Sequence, residues 1–206
     1  MIQKIELQYF APVIVYSTLY RCTHCDFGLY EPYRKMSFRN RCTLTGASGT
    51  IDLTVPIVEG RDQKTPLNEV KIDNRQQWQT RHWRTITSCY RRSPWFEFYE
   101  SELEDLYGRN FEYLYQWNLA CFGWAMEVLG WSIEVIDLAR TPELGDSKVI
   151  DLRNKILPKN RGNLSEGILK YTQVFEERQG FIPNLSILDL LFCEGKNASE
   201  LLKNRV

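Results

Sequence analysis

The start of the chain restricts the fold more than any other part of it. Residues 2–10 form a strand-like run, Ala11-Pro12 opens a helix that continues to Tyr20, and a second strand is expected near residues 26–30. Proline suits the first helical turn, where its missing N–H would have no intrahelical partner anyway. Strand, helix and strand at such short spacing favour a parallel sheet that the chain enters near its centre.

The rest of the pattern extends this α/β reading. Residues 42–45 and the β-branched run 50–58 flank Gly46-Ala47-Ser48-Gly49 and read as a hairpin. Residues 59–68, with Gly60 and Pro66, read as a loop before a short strand at 69–72. Asp73 or Asn74 is placed to cap a helix starting near Arg75, along which Trp78, His82, Ile86 and Tyr90 recur at helical spacing. Helices over 95–107 and 111–129 end at Gly108 and Gly130, and residues 131–138 alternate like a strand. Residues 142–167 are polar and marked by proline and glycine, and a helix over 168–179 and an apolar run at 185–192 follow. The expectation is one α/β domain over residues 1–206, with a mixed, largely parallel sheet flanked by helices. A C-terminal extension, about 142–206, packs back on it, because its apolar residues are too few for a core of their own.

Composition decides which partners are plausible. The 26 basic and 26 acidic side chains cancel, so no global field draws the protein to nucleic acid or to an anionic membrane. Any anion site has to be local, and the expected partner is a small anionic molecule. No apolar run reaches the roughly 20 residues that span a bilayer, and the charged first residues lack the features of a signal peptide. Cytoplasmic residence and reduced thiols are expected, the six cysteines being scattered without a disulfide framework.

Several polar residues and groupings carry possible chemistry. Tyr33-Arg34-Lys35-Met36-Ser37-Phe38-Arg39-Asn40-Arg41 concentrates cations and an amide directly after an expected strand. Strand ends of a parallel sheet are where ligands bind, and arginine forks grip phosphate or carboxylate. The same run also reads as a solvated basic loop. Glu31, just before it, supplies either an acid/base carboxylate or a neutralising charge. His82 is either a general base near neutral pH or a packed core histidine. Cys22-Thr23-His24-Cys25 has C-x-x-C spacing, but it sits at a helix end with no second ligand pair, which leaves coincidence as the reading. Asp189, inside an otherwise apolar helix, has to find partners, an arginine or backbone donors. No P-loop, dinucleotide fingerprint, nucleophile elbow or zincin motif is present, and no metal or cofactor is expected.

Several segments together resemble the WbqC-like protein family of bacteria. They are Gln8-Tyr9-Phe10-Ala11-Pro12, the run from Tyr33 to Cys42, Leu53-Thr54-Val55-Pro56, Trp78-x-x-x-His82-Trp83-x-x-Ile86, Tyr90-x-x-Ser93-Pro94-x-Phe96, Tyr171-x-Gln173-x-Phe175, and Gly180-Phe181-x-Pro183 continuing to Phe192. Their order and spacing cover nearly the whole chain. The resemblance implies a role in O-antigen or related surface polysaccharide synthesis, with transfer of glycine or another acyl group onto a nucleotide-linked amino sugar. On that reading Tyr9, Tyr33, Arg39, Asn40 and Arg41 bind substrate, and His82, Lys35 and Glu31 do the proton and charge work. The alternative is a non-catalytic protein that binds a nucleotide sugar or a partner enzyme.

Overall fold

A computed structural model describes residues 1–58, 64–141, 147–163 and 168–204. Four parallel strands make the main sheet: β1 (Ile2–Lys4), β2 (His24–Asp26), β5 (Glu134–Ile136) and β6 (Val149–Asp151), in the order β5-β2-β1-β6. The chain therefore does enter an inner strand, and α1 (Val13–Leu19) carries it from β1 to its neighbour β2. Strand β1 is shorter than expected. Beyond Lys4 only Ile5 continues the pairing, through Ile5 N–H to Asp26 O at 3.0 Å, and the following residues turn inward to the core.

A separate antiparallel hairpin, β3 (Arg41–Gly46) and β4 (Gly49–Thr54), turns at Ala47-Ser48 as its sequence suggests. The expected strand at 69–72 is instead a 3-10 turn, Leu67–Glu69, followed by isolated bridges at Lys71 and Ile72. Of the loop expected at 59–68, residues 59–63 lie outside the described residues.

Helices α2 (Trp78–Tyr90), α3 (Phe96–Gly108) and α4 (Leu114–Leu129) follow the apolar periodicity, and Gly130 ends α4 in the left-handed conformation. Helix α2 starts later than the cap residues suggested. Asp73 is used up by Arg75, accepting from its backbone and side chain, and Asn74 accepts from Trp78 Nε1 and donates to Phe111 O. Short polar side chains that bond locally favour a turn over a helix start.

Trp117 of α4 is the hub of the core. Its fully buried ring lies 5.0–6.3 Å from those of Tyr9, Phe10, Trp78, Tyr107 and Phe111. No helix among the described residues is long and apolar enough to cross a membrane.

The C-terminal extension holds α5 (Glu176–Gln179), α6 (Ile187–Glu194) and α7 (Asn197–Lys203), although α5 is one turn where a helix over 168–179 was expected. It also supplies β6, whose three residues are too short a run to stand out within a polar stretch. Residues 142–146 and 164–167 of its polar stretch lie outside the described residues. Ser186 caps α6, accepting from Leu188 N–H, and donates to Phe10 O at 2.8 Å, so α6 is fastened to the start of α1.

Candidate functional site

Strands β1, β2 and β6 run parallel, so the loops that leave their carboxyl ends emerge on one edge. Glu6 follows β1, Gly28 and Glu31 follow β2, and Arg153 and Asn154 follow β6. An open hollow of about 650 Å³ lies there, lined by Glu31, Pro32, Tyr33, Arg34, Arg39, Arg153 and Asn154. The lining holds three guanidiniums and one carboxylate, and Arg39 and Arg153 also face the carboxylates of Glu6 and Asp151, which leaves Arg34 as the guanidinium of the lining without an ion pair among the described residues.

Arg39 is the buried member, with 4% of its surface exposed. Its backbone is pinned on both sides, by Asn118 Nδ2 donating to its carbonyl at 2.6 Å and by Tyr9 N–H donating to Phe38 O at 3.0 Å. Arg39 Nη2 stands 3.7 Å from Glu6 Oε1, too far for a hydrogen bond, while Arg39 Nη1 and Glu6 Oε2 are buried without any partner. Burial lowers the Arg39 pKa from its ordinary value, and Glu6 and Glu31 work against that shift. Burial likewise pushes the Tyr33 hydroxyl up to about 12.

The rim is an ion-pair network. Arg153 bridges Asp151 and Glu31, Lys4 Nζ lies 3.3 Å from Asp26 and 3.8 Å from Glu31, and Glu6 accepts from the backbone N–H of Asn154. Hydrogen bonds from Arg153 hold the Asp151 carboxyl down to about 2. Gly28 has φ +56° and donates to Asp26 Oδ1 at 2.8 Å, and a Cβ there would stand 2.9 Å from the Glu31 carboxyl carbon. Gly28→Ala is expected to cost about 1–2 kcal/mol of stability through the left-handed backbone and to push Glu31 off Arg153. Thermal unfolding reads the first effect, and titration of an anionic ligand reads the second.

The remaining residues singled out from sequence lie elsewhere. Arg41 Nη1 donates to Asp52 across the hairpin at 3.1 Å, and Asn40 Nδ2 donates to Val55 O at 3.0 Å. Lys35 is half-buried and forms no ion pair among the described residues. His82 and Tyr9 are core groups: the Tyr9 hydroxyl lies 3.1 Å from His82 Nδ1 and 2.5 Å from the Tyr107 hydroxyl. Burial lowers the His82 pKa to about 4, so the ring is neutral at working pH. Glu31, Tyr33 and Arg39 therefore meet at the hollow, and Tyr9, Lys35, Asn40, Arg41 and His82 are not part of its lining.

Sequence reading missed Glu6, Arg153 and Asn154. Glu6 carried a signal: it lies between Ile5 and Leu7, where a parallel sheet is covered on both faces and a carboxylate is out of place. Arg153 and Asn154 carried none, being two polar residues in a polar stretch.

A larger groove of about 1110 Å³ includes Trp83, Arg84, Arg91, Arg92, Phe175 and Arg178 in its lining. Its guanidiniums are all exposed, so none shows the buried, unpartnered nitrogen that marks Arg39. The cysteines are free, and Cys25 is buried inside β2, where burial pushes its thiol up and keeps it protonated. Among the described residues no group of three or more His, Cys, Asp or Glu is placed to hold a metal ion.

A model of the WbqC-like protein family matches residues 9–161. The chain belongs to the WbqC-like protein family. The matched stretch contains Glu31, Tyr33, Arg39, Arg153 and Asn154, so most of the hollow is made from the part this member shares with its family. Glu6 precedes the match, and α6 follows it. No curated protein and no solved structure matches this member.

Proposed function

We propose that this WbqC-like protein is a transferase of bacterial surface polysaccharide synthesis, of the O-antigen type. It moves glycine or another acyl group onto a nucleotide-linked amino sugar, and the hollow at the sheet edge is its anion-binding site. The observation that carries the reading is Arg39: a buried guanidinium with one nitrogen unpartnered, in an arginine-lined hollow at the carboxyl ends of parallel strands. Arg34 and Arg153 supply further donors for a diphosphate, and the Tyr33 hydroxyl, protonated at working pH, is a neutral donor beside them. His82 and Tyr9, paired in the core, stand outside the hollow and carry no step of this reading.

Calorimetric titration with a UDP-linked amino sugar tests the site. Arg39→Lys keeps the charge that balances Glu6 but loses the planar fork, so the fold is retained and affinity is expected to fall by about 10- to 100-fold. Unchanged affinity in a folded Arg39→Lys protein would sink the assignment. A second reading, binding without turnover, is supported by Phe98. This ring is 70% exposed on the acidic helix α3, with its centroid 5.0 Å from that of Trp95, which is the composition of a protein-docking anchor. Ligand binding with no product formed favours that reading.

A further inference from the structure

At the carboxyl ends of β1, β2 and β6 and in the loops beyond them, four cations, Lys4, Arg34, Arg39 and Arg153, stand with four carboxylates, Glu6, Asp26, Glu31 and Asp151. Their charges cancel. An anion that enters the hollow therefore meets little net attraction while every carboxylate keeps its place.

Three of the four carboxylates are fixed by the backbone. Asp26 accepts from Gly28 N–H at 2.8 Å, Asp151 from Arg153 N–H at 3.0 Å, and Glu6 from Asn154 N–H. Glu31 differs. Among the described residues its carboxylate accepts only from the Arg153 side chain, Nη1 to Oε1 at 2.5 Å, and Lys4 Nζ lies 3.8 Å from the same oxygen. It is also the one carboxylate in the lining of the hollow, with 31% of its side chain exposed. An ion pair between long, partly exposed side chains is weak and readily exchanged. Arg153 is built for that exchange. Its Nε and Nη2 are held by Asp151 at 3.0 and 2.5 Å, so the guanidinium keeps its position when Nη1 is released. Nη1 then becomes a donor in the same lining as Arg34.

We infer that Glu31 is an internal competitor for the anion site, its carboxylate occupying Arg153 Nη1 until an anionic ligand displaces it. This rests on the anion-binding reading of the hollow and adds the group that selects among anions. A ligand with a single carboxylate only replaces Glu31 in kind. A diphosphate brings more charge and has oxygens to offer to more than one guanidinium of the lining. The competitor thus admits phosphate groups ahead of small carboxylates.

Calorimetric titration with inorganic pyrophosphate tests the inference on the wild-type protein, Glu31→Gln, Arg153→Gln and the double variant. The Glu31 side chain lies at the rim and accepts no backbone bond, so its replacement spares the fold. Glu31→Gln is expected to bind pyrophosphate about 10-fold tighter than wild type, because the competing charge is gone. In the Arg153→Gln background the same change is expected to gain less than ~3-fold, since the donor in dispute is absent. Acetate at equal concentration is expected to leave pyrophosphate binding to the wild-type protein unchanged. Equal or weaker binding by Glu31→Gln overturns the competitor and leaves the anion site standing. A gain that persists in full without Arg153 overturns it too, because Glu31 would then act as a distant repelling charge, and so does displacement of pyrophosphate by acetate. Absence of pyrophosphate binding in all four proteins overturns the anion site itself, and the competitor with it.

Discussion

Replacing Asp189 with alanine is expected to lower the unfolding free energy by about 2–5 kcal/mol at neutral pH, the cost of leaving two buried hydroxyls without an acceptor and opening space around them. The carboxylate is fully buried on α6, and it accepts from the Tyr90 hydroxyl of α2 and the Tyr171 hydroxyl of the extension, each at 2.6 Å. The Tyr90 oxygen in turn accepts from Thr45 N–H of β3 at 3.2 Å. One carboxylate thus ties the hairpin, α2 and the C-terminal extension together. The sequence pointed to an arginine or to backbone donors as its partners, but tyrosine hydroxyls take that place. They satisfy the charge without bringing a second charge into the core.

The same group sets a pH dependence. Burial raises the Asp189 pKa from 3.8 to about 6, with the tyrosine hydroxyls opposing the rise. A carboxyl that holds its proton more tightly when folded binds more protons in the native state across that window. Stability therefore falls as pH rises from about 4 to about 6, by roughly 3 kcal/mol, and is level above it. Asp189→Asn has no proton to lose and is expected to flatten this segment of the profile. Denaturant unfolding across that pH range measures it, and an unchanged slope in the Asn variant would exclude Asp189 as its source.

The fold was legible where periodicity and backbone chemistry act locally. Pro12 before α1, the Ala47-Ser48 hairpin turn, the Trp78/His82/Ile86/Tyr90 stripe and the glycine end of α4 each follow from a residue or two and its neighbours. What could not be read was long-range. Strand β6 pairs with β1 across more than a hundred residues of chain, and only that pairing brings Arg153 and Asn154 to the hollow. The basic run from Tyr33 to Arg41 was correctly seen as dense in cations, but density does not say where each side chain points. Arg39 turns inward because its backbone is held by Asn118 and by Phe38's bond to Tyr9, whereas Arg41, two residues later, already belongs to β3 and pairs with Asp52. For His82 the sequence leaves open a general base or a packed core histidine, and the structure places the ring in the core against Tyr9 and Trp78.

The Arg39–Glu6 pair separates charge balance from binding. Arg39→Ala alone leaves the Glu6 carboxylate buried without a countercharge, and removing one partner of a buried pair costs about 3–5 kcal/mol. Glu6→Leu alone leaves the guanidinium in the same position and is expected to cost a similar amount. Replacing both, as in Arg39→Met with Glu6→Leu, removes the unbalanced charge and leaves apolar chains of comparable length. The double variant is expected to lose far less than the two single losses added together, with a coupling of about 2 kcal/mol or more. Urea unfolding of the four proteins gives the cycle. Additive losses would mean that the two side chains do not sense each other at 3.7 Å, and the electrostatic account of the hollow would go with them. Near-full stability of the double variant, joined to loss of anion binding, is the signature of a pair kept for what it holds rather than for what it contributes to folding.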